Sequence, residues 1–325
     1  MGKFKLTNIS DFNEIKVGDY LDESDYATIT QNNKFLQFKY EDDKKLKKTV
    51  VTPGIFLIVQ EPDTKLKETQ FSKENLLDKF LYVEEVESKL NSFFSKLDVY
   101  KKFGIDVPRR NMLLYGPPGS GKSTAIKKVA NKYNEDGKTL IVIYPTDKVE
   151  AYDVKQFVKT FEYHGVEKLI IIAEDIGGVE IDEVRMKSDS SLLSFLDNQE
   201  KSFKIPTAII ATTNFPEVFL GNLTNRPGRF DDKIRVDFPN SESRKELFNF
   251  FSGQFGQKLD EESEIIGSKK CSDFTPAHIR EVIIRAAIHE KPVRTVIDEI
   301  IKEIEEYKNA FQNKAKMGIN MAMYE

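Results

Sequence analysis

The sequence predicts an α/β fold: a five-stranded parallel sheet with helices on both faces, a small helical lid domain after it and a β-rich region before it. Three observations predict this fold. Between residues 111 and 238, short apolar runs alternate with longer helical patterns, which is typical of parallel sheets. A glycine-rich stretch separates the first run from the next helix. After Pro239 only helical patterns remain.

The same patterns divide the chain into three regions. Residues 1–75 are predicted to be a β-rich region that recognises a partner, because residues 34–40 largely alternate apolar and polar side chains and Gly54–Gln60 is a short apolar run. Residues 76–238 are predicted to form the large α/β domain. Residues 239–325 are predicted to form the helical lid and a C-terminal helix.

The individual elements follow from periodicity. A helix is predicted over residues 83–97, where apolar side chains at three- and four-residue steps share one face: Val83, Val86, Leu90, Phe93, Phe94 and Leu97. Strands are predicted to start near Met112, Leu140, Leu169, Ala208 and Lys233. The first lid helix is predicted to begin with a capping box formed by Ser243 and Glu246.

Composition limits the classes of function. The 325 residues include 49 basic and 53 acidic side chains, so the net charge of −4 gives no general attraction to nucleic acid or to an anionic membrane. Cys271 is the single cysteine, which excludes an intrachain disulfide and fits a reducing compartment. No apolar run is long enough to span a bilayer, and the first residues lack the apolar core of a signal peptide. We therefore expect a soluble, cytoplasmic protein without a membrane partner.

The glycine-rich stretch LLYGPPGSGKST, residues 113–124, has the spacing of a phosphate-binding loop. Glycines let backbone N–H groups converge on phosphate oxygens at a helix N-terminus. Lys122 is expected to reach the β- and γ-phosphates and Ser123 to hold Mg²⁺. The predicted nucleotide-binding residues are Gly116, Pro117, Pro118, Gly119, Ser120, Gly121, Lys122, Ser123 and Thr124.

Polar residues close the next two central strands. The run LIIIA from Leu169 ends at Glu174 and Asp175, which can supply a carboxylate to Mg²⁺ and a base to the attacking water. The alternative is a pair of solvated loop acids. Asn214 ends the strand that begins at Ala208, where its amide can bond the γ-phosphate and the water. The alternative is a buried loop asparagine that caps the following segment.

Two arginines flank a Pro-Gly turn in the stretch NRPGRFDD. A guanidinium on such a rigid loop can stabilise the charge that develops during phosphoryl transfer, so Arg226 and Arg229 are candidate arginine fingers. The alternative is that both arginines pair with Asp231 and Asp232.

Taken together, these motifs resemble the AAA family of P-loop ATPases. GPPGSGKST, IIIAED, ATTN and NRPGRFD are similar, in family order, to the Walker A, Walker B, sensor 1 and second-region-of-homology motifs. The resemblance covers roughly residues 90–289. It implies a P-loop NTPase core with a helical lid, which uses ATP and Mg²⁺. It also implies a homo-oligomeric ring, usually hexameric, with ATP at the subunit interfaces and Arg226 and Arg229 acting on the neighbouring subunit.

The chain departs from the family's usual Asp-Glu order. The Glu-Asp order resembles the subgroup that includes the mitochondrial AAA chaperone translocating the Rieske iron–sulfur protein, with related phage and bacterial ATPases. The resemblance gives Mg²⁺ to Glu174 and the polarisation of water to Asp175. Ala277 is placed at the nucleotide, where other AAA+ clades carry a sensor 2 arginine. Arg280, one turn away, either compensates for that arginine or forms a salt bridge, and the salt bridge is favoured.

The residues that grip a substrate are less well marked. Val149 and Tyr152 stand where relatives carry a first pore loop, and Tyr152 has packing at the start of the next helix as its alternative role. Gly177 and Gly178 are candidate hinges of a second central loop.

The main hypothesis is a ring ATPase that remodels or translocates a protein partner. The alternative is a motor or loader on DNA or RNA, indicated only by Lys127, Lys128, Lys132 and Lys148. A third hypothesis is a switch whose ATP-bound state matters more than its turnover, because an aspartate replaces the usual glutamate at position 175.

Overall fold

The computed structural model of the chain describes residues 30–32, 35–38, 48–60, 64–71, 82–146, 151–176, 196, 203–214, 229–254 and 260–316. The strands are β1 (Thr30–Asn32), β2 (Phe35–Phe38), β3 (Lys48–Val51), β4 (Gly54–Gln60), β5 (Thr64–Glu68), β6 (Arg109–Tyr115), β7 (Thr139–Pro145), β8 (Phe161–Tyr163), β9 (Lys168–Glu174), β10 (Thr207–Thr213) and β11 (Asp232–Arg235). The helices are α1 (Val83–Ser95), α2 (Leu97–Lys102), α3 (Lys122–Asn134), α4 (Ala151–Lys159), α5 (Ser241–Gln254), α6 (Asp260–Gly267), α7 (Pro276–Ile288) and α8 (Val293–Lys316). A 3-10 turn, Lys269–Cys271, lies between α6 and α7.

The main sheet confirms the predicted α/β class. Its strand order is β11-β6-β10-β9-β7-β4-β5, and the five strands predicted from the sequence are the adjacent set β11, β6, β10, β9 and β7. These five run parallel to one another. Parallel strands need crossover connections, so the helices between them cover the two faces of the sheet.

The central strands are apolar throughout because both faces of the sheet are covered. Along β9, Ile170 and Ile172 belong to the hydrophobic cluster that includes side chains of α1 and α3. Leu169 and Ile171 alternate with them and belong to the cluster that includes α4. Successive side chains of a strand point to opposite faces of the sheet. When both faces are buried, every position of the strand is therefore apolar, and the sequence does not alternate between apolar and polar residues.

The sheet has seven strands rather than the predicted five. β4, which we assigned to the N-terminal β-rich region, pairs in parallel with β7 from Gly54 opposite Leu140 to Leu57 opposite Ile143. β5 then pairs antiparallel with β4 at the edge. The physical reason is burial: Ile55, Phe56 and Ile58 of β4 are at most 4% exposed, and an apolar strand needs neighbours on both sides and both faces.

The rest of the N-terminal part lies in a second sheet. β1, β2, β3 and β8 form a four-stranded sheet in which β8, from between α4 and β9, pairs in parallel with β3. Strands from before residue 75 thus pair with strands from after it in both sheets. The domain boundaries at 75/76 and 238/239 stay predictions.

The lid begins two residues before the expected capping box. α5 starts at Ser241, and the Asn240 side chain accepts a hydrogen bond from the backbone N–H of Ser243 at 2.9 Å. The prediction that Ser243 and Glu246 form the cap is therefore wrong, because Ser243 lies inside the helix, whereas Asn240 stands directly before it and accepts from one of the free N–H groups of the first turn.

Buried Arg244 fixes the chain that returns from α6. Its guanidinium donates hydrogen bonds to four backbone carbonyl oxygens, those of Pro239, Ile266, Gly267 and Ser268. This anchors the far end of α6 against the start of α5. In the described part of the chain, no helix combines the length and apolarity needed to cross a membrane.

Candidate functional site

The phosphate-binding loop lies between the end of β6 and the start of α3. A Cβ atom added to Gly116 would collide with the backbone carbonyl oxygen of Val236, so the loop can leave the sheet here only without a side chain. Gly121 precedes α3 with a φ of 98°, in the left-handed region. The loop therefore has the strand–loop–helix context predicted for residues 116–124, with the helix N-terminus facing the loop.

Lys122 is folded back onto this loop. Its Nζ donates to the carbonyl oxygens of Gly116 at 2.8 Å and Pro117 at 2.9 Å, and to Asn214 Oδ1 at 2.7 Å. Burial of the ammonium group lowers the pKa of Lys122 to about 8, against the opposing effect of the Asp175 charge. In this structure the Lys122 ammonium group donates its hydrogen bonds to carbonyl and amide oxygens. Phosphate oxygens bound in the loop would compete with these acceptors.

Asn214 joins the lysine to the acid on the next strand. It directly follows β10, and its Nδ2 donates to Asp175 Oδ1 at 2.7 Å. The backbone N–H of Asp175 donates to the Thr212 hydroxyl at 2.8 Å, which fixes an aspartate whose φ is 54°. Since β6, β10 and β9 are neighbours, their carboxyl ends bring Lys122, Asn214 and Asp175 together at one edge of the sheet.

The two acids of the Glu-Asp pair have different surroundings. Asp175 lines the cavity above the phosphate-binding loop, whereas the residues lining that cavity do not include Glu174. Glu174 ends β9, and its backbone carbonyl oxygen accepts a hydrogen bond from the Thr146 hydroxyl at 2.9 Å. Glu174 is the last residue of β9 and is partly buried, whereas Asp175 is exposed but is held by hydrogen bonds with Thr212 and Asn214.

The cavity has a volume of about 840 Å³, enough for a nucleotide. Most of the predicted loop residues line it, together with Asp175 and Asn214. Four further lining residues were missed: Thr212, Phe251, Gln254 and Pro276. Thr212 stands within the ATTN motif, which was a signal for it. Phe251 and Gln254 carry no sequence signal, because they reach the cavity only through the packing of the lid.

The lid touches the loop directly. The backbone N–H of Ala277, in the first turn of α7, donates to the carbonyl oxygen of Gly119 at 3.2 Å. Thr275 caps α7 by accepting from the N–H of His278, and its own N–H donates to the imidazole of His278. Ala277 and Arg280 both line the cavity. The salt bridge favoured for Arg280 is not found: no ion pair joins it to another described residue.

The residues present fit a nucleotide with its Mg²⁺. The loop between Gly116 and Gly121 is a cradle that a side chain at Gly116 or Gly119 would obstruct, and Lys122 brings a cation to it. Ser123 lies at the start of α3 among the lining residues, and its hydroxyl is a ligand type that Mg²⁺ prefers. Of the two acids, Asp175 faces this cradle.

Of the two candidate arginine fingers, Arg229 is not among the residues that line this cavity. Arg226 lies outside the described residues. Arg229 is 7% exposed, and its carbonyl oxygen accepts a hydrogen bond from Asn111 Nδ2 at 2.7 Å, near the start of β6. Its backbone thus lies near the amino end of β6, whereas the phosphate-binding loop follows the carboxyl end of that strand.

The acids after these arginines have other partners. Asp231 accepts from the backbone N–H of Asn111, and Asp232 accepts from Lys89 and Arg110. Of the pore-loop candidates, Val149, Gly177 and Gly178 lie outside the described residues. Tyr152 lies in α4, in a part of the helix whose side chains are not described, so its two alternative roles stay predictions.

The comparisons with known proteins agree with the motifs. Residues 112–238 match the family described as "ATPase family associated with various cellular activities (AAA)". This confirms the AAA domain and the P-loop NTPase-like fold predicted for this part of the chain. The matched segment begins in β6 and ends just before the lid, so it contains the loop, both acids and Asn214.

Similar proteins come from archaea and eukaryotes. The chain is 34% identical over 200 residues to the proteasome-activating nucleotidase of Methanothermobacter thermautotrophicus, covering 56% of this chain and 46% of that protein. It is 28% identical over 226 residues to the cell division cycle protein 48 homolog of Archaeoglobus fulgidus, covering 64% of this chain and 28% of that protein. It is 26% identical over 234 residues to the probable 26S proteasome regulatory subunit 10B of Caenorhabditis elegans, covering 68% of this chain and 56% of that protein. The chain therefore spans about half the length, or less, of these relatives.

Proposed function

We propose that this chain is an ATPase subunit that binds ATP in the cavity between the phosphate-binding loop and the lid, and hydrolyses it to ADP and phosphate. One observation carries the proposal: Lys122, Asn214 and Asp175 are linked by two hydrogen bonds of 2.7 Å at the carboxyl ends of three neighbouring strands. A phosphate-binding cation and a base for water are thereby held in one network.

The roles follow from the chemistry of each group. Backbone N–H groups of the loop and the Lys122 ammonium bind the phosphates, and Asp175 accepts a proton from the attacking water. The Asn214 amide holds Asp175 and contacts the γ-phosphate or the water. Ser123 and, by the family resemblance, Glu174 would hold Mg²⁺, which would supply Lewis-acid stabilisation of the phosphate oxygens; Ser123 lines the cavity and Glu174 is not among its described lining residues. Ala277 completes the nucleotide site from the lid.

The subunits form a ring, and Arg226 and Arg229 act on the ATP of the neighbouring subunit. Arg229 does not line the ATP cavity of its own subunit, because its backbone lies near the start of β6 and that cavity lies beyond the end of the strand. Its side chain is buried in the single subunit, so action on a neighbour requires the guanidinium to leave this buried position. A hexamer is proposed from the family resemblance. The Glu174-Asp175 order supports membership of the subgroup that includes the Rieske-protein translocating chaperone.

The substrate is proposed to be a protein, which the ring remodels or translocates in the cytoplasm. Two of the relatives are named for activation or regulation of the proteasome, which supports a protein-directed activity. The region of residues 1–75 is proposed to recognise this partner. The net charge of −4 favours a protein over a nucleic acid.

The decisive experiment measures ATP hydrolysis by the full chain alone and with a folded protein, an unfolded protein or single-stranded DNA. We expect Mg²⁺-dependent hydrolysis that protein stimulates. Stimulation by DNA alone would contradict the protein partner, and the absence of ATP binding would contradict the ATPase.

Action between subunits is tested by mixing two inactive variants. Arg229→Ala lacks the finger and Asp175→Asn lacks the base, so hybrid rings would contain interfaces with both groups intact and should regain activity. Because Arg229 is buried, the melting temperature of Arg229→Ala must be compared with that of the unmodified chain. No activity at any mixing ratio, with both variants folded and assembled, would argue against a finger acting in trans.

A further inference from the structure

A buried amide near the start of β6 holds the segment that carries the candidate finger Arg229. Asn111 is fully buried, and the next three residues of the strand are apolar. A buried side-chain amide destabilises the fold unless it is hydrogen-bonded, so the partners of this amide indicate what it does.

The Asn111 side chain joins two separate parts of the chain. Its Nδ2 donates to the carbonyl oxygen of Arg229 at 2.7 Å and to the carbonyl oxygen of Leu196 at 3.2 Å. The Leu196 carbonyl also accepts from Arg109 Nη2 at 2.7 Å. Leu196 is itself fully buried, in the hydrophobic cluster that includes side chains of β9. The amide therefore ties the backbone of Arg229 to a rigid part of the core.

The orientation of this amide is fixed by its acceptors. Both are carbonyl oxygens, so only the side-chain nitrogen can face them. The side-chain oxygen Oδ1 is buried and has no hydrogen-bond partner in the described part of the chain. Asn111 thus acts through its two donors, and a side chain without donors would lose both contacts.

The backbone of Asn111 holds the same segment further along. Its N–H donates to Asp231 Oδ2 at 2.8 Å, and its carbonyl oxygen accepts from the N–H of Asp231 at 2.9 Å. β11 begins at the next residue, Asp232, which pairs with Met112 of β6. Of these hydrogen bonds to Asn111, only those of its side chain change when the side chain is replaced, and one of them reaches Arg229.

Asn111 is remote from the nucleotide of its own subunit. It precedes Gly116 by five residues, which is about 16 Å along an extended strand. It is not among the described residues that line the cavity. An effect of its side chain on hydrolysis would therefore have to act through another residue.

We propose that Asn111 is a positioning residue for the arginine finger: its side-chain amide fixes the backbone from which the Arg229 guanidinium extends to the ATP of a neighbouring subunit. This inference rests on the proposed function, because it requires Arg229 to act as a finger. The Arg229 side chain must leave a buried position to reach a neighbour. A fixed backbone restricts that movement to the side-chain torsions, which reduces the conformational entropy lost when the guanidinium engages the phosphates.

The first test measures single-turnover ATP hydrolysis and the affinity for a non-hydrolysable ATP analogue. We expect Asn111→Ala to hydrolyse ATP about tenfold more slowly, the order of magnitude for two lost hydrogen bonds, with about unchanged affinity for the analogue. Asn111→Ser keeps a donor on a shorter side chain and should lose less. Thr207→Ala is the matched control: Thr207 is fully buried at the amino end of the neighbouring strand β10, its hydroxyl donates to the carbonyl oxygen of Ile205, and its loss should leave hydrolysis unchanged.

The second test shows whether the defect passes through Arg229. The double variant Asn111→Ala/Arg229→Ala should hydrolyse ATP as slowly as Arg229→Ala alone. In mixtures, Asn111→Ala should exceed the average of the separate activities when combined with Asp175→Asn, because the Asp175→Asn subunit supplies an intact finger. It should gain nothing when combined with Arg229→Ala, because no interface then has a working finger. A defect in the nucleotide site of the Asn111→Ala subunit itself would give the reverse pattern.

Three results would overturn this inference: unchanged hydrolysis in a folded Asn111→Ala chain, an equal loss of analogue affinity, or a double variant in which the two losses multiply. Each of them leaves the proposed ATPase intact, because the unmodified chain still binds and hydrolyses ATP. If Arg229→Ala itself hydrolyses ATP normally, the finger of the proposed function is contradicted and the role of Asn111 falls with it. Melting temperatures show that each variant is folded, which matters because Asn111 is buried.

Discussion

Asn214 holds Asp175 by a hydrogen bond of 2.7 Å from its side-chain nitrogen to the carboxylate. The other end of the same amide accepts from Lys122, also at 2.7 Å. The amide orientation is therefore fixed at both ends, because only the nitrogen donates and only the oxygen accepts. If bound phosphates attract Lys122, the Asn214 side-chain oxygen loses its hydrogen bond to the lysine. The hydrogen bond from the Asn214 nitrogen to Asp175 is then the main contact that orients the amide.

We predict that Asn214→Ala lowers hydrolysis on the order of 10²-fold and changes ATP affinity much less. The reason is that the acid loses the group that orients it, while the loop and Lys122 remain. Single-turnover hydrolysis and nucleotide affinity, measured on the same preparation, separate the two effects. Asn249→Ala, which removes an exposed amide from α5, serves as the control. A variant that hydrolyses normally would remove Asn214 from the proposed mechanism.

The two acids should give variants that differ in kind. Glu174→Gln should weaken Mg²⁺-dependent nucleotide binding, because it removes charge from the metal's surroundings. Asp175→Asn should bind Mg·ATP normally and retain it without hydrolysis, because only the base is lost. Mg²⁺ titrations of nucleotide binding, combined with the fraction of bound ATP that is hydrolysed, distinguish these results. The reverse pattern would exchange the two roles.

Gly119 allows a further test, of the contact between loop and lid. An alanine there would place its Cβ 2.8 Å from Ala277 Cβ and 3.0 Å from Thr275 Oγ1, so the lid would have to move away. Gly119→Ala should therefore weaken ATP binding by about tenfold or more, in addition to the strain at its φ of 72°. Gly137→Ala isolates that strain, because Gly137 has a φ of 65° and open space around it. Equal affinities of the two variants for ATP would show that the contact does not matter for binding.

Asp232 links α1 to the sheet and should make stability depend on pH. Burial alone would raise its pKa, but hydrogen bonds from Arg110 and Lys89 outweigh burial and lower it. A lowered pKa stabilises the fold above the ordinary range near pH 4, and this stabilisation is lost as the pH falls through the folded-state value. Asp232→Asn should cost on the order of 1–2 kcal/mol of unfolding free energy at pH 7, with a difference that shrinks below about pH 4.

Denaturant unfolding at several pH values measures the dependence on Asp232. Glu167→Gln is the control, since the ion pair of Glu167 with Lys138 is exposed at both ends. The stability difference between the unmodified chain and Asp232→Asn should narrow in acid, and that of the control should stay small throughout. A difference that stays constant from pH 7 to pH 3 would mean that the charge of Asp232 does not produce the stabilisation.

Sequence periodicity was sufficient for the five central strands and insufficient for the edge of the sheet. A run such as Gly54–Gln60 indicates a buried strand, but its partner β7 lies more than 80 residues further along the chain, and nothing local specifies that pairing. The phosphate-binding loop was predictable because its chemistry requires specific residues at fixed spacing. Thr212 could have been predicted in the same way, because it stands within the ATTN motif.

The lid side of the cavity was not predictable. Phe251 and Gln254 reach it because α5 is oriented by long-range contacts such as those of Arg244 with the carbonyls of Ile266 and Gly267. Ala277, which the family resemblance places at the nucleotide, lines the cavity, although its contact with Gly119 was not foreseen.

The pairing of β4 with β7 has a mechanical consequence. A pull along β4 would load its whole ladder with β7 in shear, so the hydrogen bonds would have to break together rather than one after another. β7 is in turn paired with β9, which ends at Glu174 beside Asp175. Tension on the N-terminal part of the chain would therefore reach the strand that carries the acids through two rigid ladders, without passing through a flexible joint.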